Sequence, residues 1–377
     1  MTVAVVTGTR PEIIKMFPVI KQLDYRSIDY KFIHTGQHYD YALFLKFVDE
    51  FGIQKPDVLI SLDASGPVDQ VSAILKQMGT ALDKIKPSVV MVQGDTNSVL
   101  ATALAALKSH FPISHIESGL RSNDWKTVEE HNRRIVDHIS DVLFSPTETS
   151  TKNLQNERVY GEIHTVGNTV IDAINLCLDN ERHHLTEGRY NDKPGESDQP
   201  VSLGVDPQTS GDFVLVTMHR SENVDDLNNL KQVLMALSES NLTYVFPMHP
   251  HTLNSIKEYG LINDIPKRIK IIPPLGYLDF LELLRKCRFV ITDSGGVQEE
   301  ITSPKINKRA IILRDCTERP ESVESGHSVL CKLNHISILD QIKIFESNNT
   351  NRLSSRSPYG DGDSANKIAQ IIEKKFQ

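Results

Sequence analysis

Val3-Ala4-Val5-Val6-Thr7-Gly8-Thr9-Arg10-Pro11-Glu12, close to the start of the chain, is the stretch from which the fold can be read. Four consecutive apolar residues, mostly β-branched, read as a strand buried on both faces; a half-exposed strand would alternate apolar with polar. Gly8 permits a tight turn, and Pro11 suits the first helical position, where a missing N–H is no loss. The helix then runs over Glu12–Leu23. A buried strand passing through a short turn into a helix is one half of a βαβ unit. The pattern recurs, with strands expected at Tyr30–His34, Val58–Ile60, Ser88–Gln93, Ile113–Glu117 and Val142–Ser145. Helical patterns fill the gaps at Ala42–Phe51, Pro67–Ile85, Asn97–Lys108, Val128–Ser140 and Glu148–Asn156. Such alternation predicts a doubly wound α/β fold: a parallel sheet with helices on both faces. Thr127 and Glu130, three apart, fit a capping box at the start of the Val128 helix.

After a helical segment at Val170–Asn180 the composition changes. Glu187–Asp212 carries several Gly, Pro, Asp and Ser with almost no apolar periodicity, and reads as a surface loop. Alternation then restarts. Strands are expected at Phe213–Thr217, Thr243–Pro247, Ile269–Ile272, Phe289–Thr292 and Ala310–Leu313, and helices at Leu227–Leu237, His251–Tyr259, Leu278–Lys286 and Gly295–Ile301. Ser364–Phe376 has helical spacing of Ile368, Ile371, Ile372 and Phe376. A length of 377 residues fits two such units at ~150 residues per domain, with room for connections.

Composition removes several classes of function. A net charge of -8 argues against a broad basic surface for nucleic acid, though not against a local phosphate pocket. Four cysteines without a C-x-x-C pair exclude a disulfide scaffold and a cysteine-rich zinc module. His249 and His251 are only two apart, and no H-E-x-x-H occurs, so no metal is expected. No uncharged apolar stretch reaches the ~18 residues of a membrane span. With no basic leader before Val3, the expected setting is the reducing cytoplasm.

In open α/β sheets, ligands sit at the carboxyl ends of strands, so the residues that follow each strand carry the functional reading. Arg10 and Lys15 fall near a helix N-terminus, a natural anion site. The stretch lacks both the P-loop and the G-x-G-x-x-G fingerprint, and a plain turn with surface charges is the rival reading. Asp95 and Glu117 end neighbouring strands, where carboxylates need solvent, a partner or a function. Asp95 has an alternative as N-cap of the next helix; Glu117 has no such alternative. Glu129 and Arg133 are i,i+4 neighbours and would otherwise be an ordinary solvated pair. In the second half, Asp293-Ser294-Gly295-Gly296-Val297-Gln298-Glu299-Glu300 joins a strand to a helix. Ser294, Gly295 and Gly296 offer backbone N–H groups to a diphosphate. Glu300, six residues on and roughly 9 Å along a helix axis, suits a ribose; two exposed glutamates after a loose turn are the alternative.

The ordered set Gly8-Thr9-Arg10-Pro11-Glu12, Gly36-Gln37-His38, Gln93-Gly94-Asp95-Thr96, His115-Ile116-Glu117-Ser118-Gly119-Leu120-Arg121, Glu129-Glu130 with Asn132-Arg133, His219-Arg220 with Glu222-Asn223, and Asp293 to Glu300 resembles the non-hydrolysing UDP-N-acetylglucosamine 2-epimerases. The resemblance runs from Val3 to about Gly326. It implies a GT-B-like fold of two Rossmann-like domains facing a cleft, with the C-terminal helix packing back on the first. The domains would be 1–168 with 364–377, and 169–363. It implies reversible conversion of UDP-GlcNAc to UDP-ManNAc, by elimination of UDP to 2-acetamidoglucal and re-addition, with no nicotinamide and no metal. By the motif match, Asp95, Glu117 and Glu129 are the acid/base and cation-stabilising carboxylates. Arg10, Lys15, Arg133, His219, Ser294, Gly295 and Gly296 serve the diphosphate, and Glu300 the ribose. A homodimer is the implied assembly, and a UDP-sugar the only ligand; neither nucleic acid nor membrane is a partner. The chain departs from the family pattern at Gln37–Asp40 and at Val128. The rivals are an epimerase of a related UDP-2-acetamido sugar, a hydrolysing 2-epimerase releasing UDP and ManNAc, a GT-B glycosyltransferase that needs an acceptor, and a silent UDP-sugar-binding protein.

Overall fold

The computed structural model describes residues 1–36, 41–62, 66–184, 213–262, 265–347, 353–354 and 356–377. The expected loop at Glu187–Asp212 and the motif residues Gln37-His38, with the rest of Gln37–Asp40, lie outside the described residues.

The chain forms two compact units. The first comprises Met1–Cys177 and Tyr359–Gln377. Its strands are β1 (Thr2–Thr7), β2 (Asp29–His34), β3 (Val58–Leu59), β4 (Val89–Gln93), β5 (Ile113–Ile116), β6 (Val142–Ser145) and β7 (Glu162–Thr165). All pair in parallel, in the order β3-β2-β1-β4-β5-β6-β7. The intervening helices are α1 (Arg10–Tyr25), α2 (Tyr41–Phe51), α3 (Pro67–Ile85), α4 (Asn97–Lys108), α5 (Val128–Ile139) and α6 (Glu148–Glu157), and α7 (Thr169–His184) follows β7. The apolar strands are buried as their composition requires: Val3, Ala4, Val5, Val89, Val90 and Met91 are fully enclosed. One face packs Ala4, Val6, Val90 and Val92 against Met78, Leu82, Val99 and Ala103 from α3 and α4. Each of the Val, Met and Leu side chains contributes about 1.5–3 kcal/mol, and Leu82→Ala alone would cost about 2–5 kcal/mol.

The second unit, Leu178–Pro358, contains β8 (Phe213–Thr217), α8 (Ser221–Val224), α9 (Leu227–Glu239), β9 (Thr243–Pro247), α10 (Pro250–Glu258), β10 (Ile269–Ile272), α11 (Tyr277–Lys286), β11 (Val290–Thr292), α12 (Gly295–Glu300), β12 (Ala310–Ile312), α13 (Pro320–Glu324), β13 (Ser328–Leu330) and α14 (His335–Ser347). The sheet order is β10-β9-β8-β11-β12-β13, again parallel. Its core joins Val214, Val216, Phe246 and Ile291 to Leu230, Leu237 and Ile342.

Helix α15 (Ser364–Phe376) belongs to the first unit and contacts α1. Ile368 and Ile372 are fully buried. Asp172 Oδ1 accepts the Ala365 N–H at 2.9 Å, and Arg26 reaches Glu373 at 2.9 Å and Asn366 at 2.6 Å. The apolar spacing of this segment is therefore the imprint of the surface it covers.

Several elements were not anticipated from sequence. β7 pairs only with β6, and its residues Glu162–Thr165 are half-exposed or exposed, so no apolar run marks it. β13 is likewise an edge strand, three residues long. At α5, Thr127 does hold the N-cap position, but the capping box is not made. Its hydroxyl donates to the Asp124 carbonyl at 2.9 Å, and Glu130 turns to other partners.

Both sheets reverse strand order beside their first strand: between β1 and β4, and between β8 and β11. Crossovers leave in opposite directions there, which opens a crevice at the strand ends.

Candidate active site

At the first reversal, the β1–α1 and β4–α4 turns meet. Gly8 is required by the close approach, since a Cβ there would collide with the hydroxyls of Ser98 and Thr35. Glu12, three residues after the N-cap Thr9, binds the turns together. Its Oε2 accepts the Gly8 N–H at 2.6 Å, and its Oε1 accepts the hydroxyls of Thr9 at 3.0 Å and Thr96 at 2.7 Å. Glu12 is only 2% exposed. Burial pushes its carboxyl up to about 7, outweighing the hydrogen bonds from Thr96, Gly8 and Thr9, and the neighbouring Asp95 charge adds to the rise. Thr96, not Asp95, is the N-cap of α4 and accepts the Val99 N–H at 3.4 Å. The capping alternative for Asp95 therefore falls.

Glu117 follows β5 with φ of +69°. For a residue with a Cβ this left-handed conformation costs about 1–2 kcal/mol, and it is compensated by partners. Lys15 Nζ donates to Glu117 Oε1 at 2.6 Å, and Gln93 donates to Oε2. Lys15 and Glu117 are both buried. Asp95 is held by Arg133, whose Nη2 and Nε lie 2.5 and 3.1 Å from Oδ2. Arg133 Nη1 also pairs with Glu130 at 2.5 Å. The expected i,i+4 partner of Arg133 was Glu129; the pairings observed run to Glu130, one residue on, and to Asp95 from another turn. Glu130 has no exposed surface and further accepts from Arg134 and from the Ser122 and Asn123 N–H groups. Burial pushes Glu130 up, but Ser122, Arg133 and Arg134 outweigh it and hold the carboxyl below its usual range. Glu129, by contrast, is exposed, and no hydrogen bond or ion pair holds it among the described residues. Arg10, half-buried at the start of α1, lies over the Phe47 ring at 4.7 Å. So this unit brings together Lys15, Asp95, Glu117 and Arg133, as two carboxylate–cation pairs.

In the second unit, Asp293 organises the corresponding crevice. It accepts the His219 N–H at 3.2 Å, the Arg220 N–H at 3.0 Å and Asn223 Nδ2 at 3.0 Å, and lies 3.3 Å from His219 Nδ1. Burial pushes Asp293 up, but His219, Asn223 and the Arg220 amide prevail and hold it below the usual carboxylate range. The His219 side chain is half-exposed. Ser294 is the N-cap of α12, with its own N–H given to Thr292 Oγ1 at 3.0 Å. The first helical N–H groups, from Gly295 onward, have no partner inside a helix. A Cβ at Gly295 would run into the guanidinium of Arg319 and the Glu318 carboxylate, so a larger residue there would push that ion pair aside. Glu300 is buried at the far end of α12.

Three groups here have no role assigned to them in the sequence reading. Glu12 had a signal, the Thr9-x-x-Glu12 spacing of a capping box. The cluster behind α12 had one too, in the charge-dense run Arg314 to Glu321. Arg319 Nε donates to Glu299 Oε1 at 2.7 Å, Arg319 also pairs with Glu318, and Arg314 with Glu318 at 2.9 Å. Gln93, the partner of Glu117, carried no signal beyond its place at a strand end.

Chemically, the first unit offers carboxylates beside cations, suited to proton transfer near a developing positive centre. The second offers amides and an imidazole suited to a diphosphate.

A family model described as UDP-N-acetylglucosamine 2-epimerase matches residues 21–373. The UDP-N-acetylglucosamine 2-epimerase of Methanococcus maripaludis is 38% identical, over 99% of both chains. The UDP-2,3-diacetamido-2,3-dideoxy-D-glucuronate 2-epimerase of Pseudomonas aeruginosa is 33% identical, over 99% of this chain and 100% of the relative. Among solved structures, the Methanocaldococcus jannaschii UDP-GlcNAc 2-epimerase in complex with UDP-GlcNAc and UDP superposes with a TM-score of 0.85 and 36% identity, over 99% of this chain and 100% of that one.

Proposed function

The chain belongs to the UDP-N-acetylglucosamine 2-epimerase family, and from that premise we propose that it interconverts UDP-GlcNAc and UDP-ManNAc without hydrolysis. Its fold, two Rossmann-like α/β units of GT-B-like type, is the family's. The observation that carries the reading is the pairing of Asp95 with Arg133 and of Glu117 with Lys15 at neighbouring strand ends.

Inversion at C2 is difficult because the C2 proton is not next to a carbonyl. Breaking the C1–O bond first sends the electron pair to UDP and leaves an oxocarbenium-like centre that acidifies C2–H. A carboxylate removes that proton, giving 2-acetamidoglucal and UDP. UDP then re-adds at C1 while a proton arrives at C2 from the other face. An acid/base is needed on each face, with stabilisation of the departing diphosphate. Asp95, Glu117 and Glu129 are the proposed carboxylates. Glu129 fits because it is uncommitted, whereas Glu130 is consumed by Arg133, Arg134 and Ser122. Arg10, Lys15, Arg133, His219 and the Ser294-Gly295-Gly296 turn are proposed for the diphosphate, and Glu300 for the ribose. Lys15 and Arg133 thus enter the reaction as halves of charge pairs, not as free cations.

NMR of the product formed from UDP-GlcNAc in deuterated water tests this. UDP-ManNAc carrying deuterium at C2 is expected. Predominant free ManNAc would make the enzyme hydrolysing, and turnover only with an acceptor would make it a glycosyltransferase. The Pseudomonas relative favours one second reading, a UDP-2-acetamido sugar with other substituents, and a panel of such sugars in the same assay separates the two. The family likeness also supports a cytoplasmic homodimer whose product supplies surface polysaccharide; light scattering of the purified protein tests the dimer.

A further inference from the structure

Behind the two pairs lies a buried dyad to which the reaction assigns nothing. Asp137 on α5 and His115 on β5 both have no exposed side-chain surface. Asp137 Oδ1 is 2.7 Å from His115 Nδ1, and His115 Nε2 is 2.8 Å from the Gly94 carbonyl. The other Asp137 oxygen, Oδ2, accepts the Gly119 N–H at 3.1 Å and pairs with Arg121 at 2.8 Å. Burial pushes the Asp137 carboxyl up, but His115 and Arg121 outweigh it and hold it below the usual range. A carboxylate buried this deeply is expensive unless every oxygen is engaged, as here. Its contacts are specific in what they reach. Gly94, with φ of +85°, immediately precedes Asp95, and its N–H is already bound to the Ile116 carbonyl at 3.1 Å. Gly119 lies two residues beyond the strained Glu117. Asp137 therefore ties down the turn carrying Glu117 directly and, through His115, the turn carrying Asp95.

We propose that Asp137 and His115 are positioning residues that jointly fix the Gly94–Asp95 and Glu117–Gly119 turns and so set the spacing of the two reacting carboxylates. The inference rests on the epimerase reading given above. A shift of a few tenths of an ångström in either carboxylate would affect proton transfer far more than substrate binding. The loss should therefore fall on kcat.

Four variants test it. His115→Ala releases the Gly94 carbonyl, and Asp137→Ala releases both His115 and Gly119. His115→Gln and Asp137→Asn keep nearly the native volume and a donor or acceptor at each contact, so they remain folded if the Ala variants do not. The expected outcome is a fall in kcat for UDP-GlcNAc of at least about 30-fold in the Ala variants, with KM within about threefold. Asp137→Asn should recover most of kcat, and His115→Gln part of it. Wild-type kcat in His115→Gln and in every other folded variant, or a KM that rises in step with the loss of kcat, would overturn the proposal. The wild type, run alongside, separates the two readings: if it makes no UDP-ManNAc the epimerase assignment fails, whereas wild-type turnover with unaffected variants refutes only the positioning role.

Discussion

Replacing Glu12 by glutamine should abolish a specific component of the pH dependence of stability. Glu12 sits in a closed site where burial raises its carboxyl from an ordinary 4.5 to about 7. The folded state therefore binds this proton more tightly than the unfolded chain. Stability from the group is fully present below pH 4.5, declines as pH rises, and is lost above about 7. The gap between those values corresponds to about 3 kcal/mol, of which about 2–3 kcal/mol falls between pH 5 and 8. Glutamine has the same shape but no proton to lose, so the stability of wild type relative to E12Q should shrink by that amount over the interval. Asp172, also raised, to about 6, is common to both proteins and cancels in the difference.

The assay is built into the sequence. Trp125 is the only tryptophan and belongs to the first unit, the one that holds Glu12. Urea unfolding followed by its emission at pH 5, 6, 7 and 8 reports that unit without interference from the second, which matters because two-unit chains need not unfold in one step. A difference that stays flat across the series would refute the argument, since it would mean that the three donors from Gly8, Thr9 and Thr96 fully offset burial.

Glu117→Gln should lower epimerisation at least about 100-fold with little change in KM; deuterium entry at C2 reads it directly. Gly295→Ala pushes a methyl into Arg319 and should weaken UDP binding, measured by calorimetry, by at least about tenfold, while the Trp125 transition stays in place. Arg26→Ala removes two contacts to α15 and should destabilise the first unit by about 1 kcal/mol, with faster hydrogen exchange confined to 364–377.

The architecture was legible where composition and position agree. Strands buried on both faces are apolar nearly throughout, and this is why β1, β4, β8 and β9 were visible as Val-rich runs, with Phe in β8 and β9. Edge strands escape that requirement: β7 is half-exposed and reads as polar. For the site, the strand-end rule located Asp95 and Glu117 but could not assign their partners. Arg133 looked like the mate of Glu129 because helix spacing is the only proximity a sequence displays. The observed mate Asp95 is 38 residues away and meets it only once β4 and α5 are packed. The same limit hid Lys15 with Glu117, 102 residues apart. Helix spacing gave Glu130 a capping role and Glu129 the Arg133 pairing, and burial reverses both: Glu130 is the enclosed, paired carboxylate and Glu129 the exposed one.

That separation explains how the fold tolerates so much buried charge in one place. Glu12, Glu117, Glu130 and Asp137 are all less than 9% exposed, and isolated carboxylates at that depth would each cost several kcal/mol. None is isolated. Lys15 serves Glu117, Arg133 and Arg134 serve Glu130, and Arg121 and His115 serve Asp137. The left-handed backbone at Glu117 is harder to justify on stability alone. A glycine there would remove the strain, and an apolar residue would remove the need for Lys15. Retaining both the strain and the ion pair makes sense if the position is chosen for where the carboxylate points, because strained backbone persists only where its surroundings impose it. Those surroundings are specific: β5 before it, the Ser118 N–H on the Phe144 carbonyl at 3.1 Å, and Asp137 on Gly119 just after. The strain and the buried charge thus have one explanation, which is that both hold a single carboxylate at the mouth of the sheet.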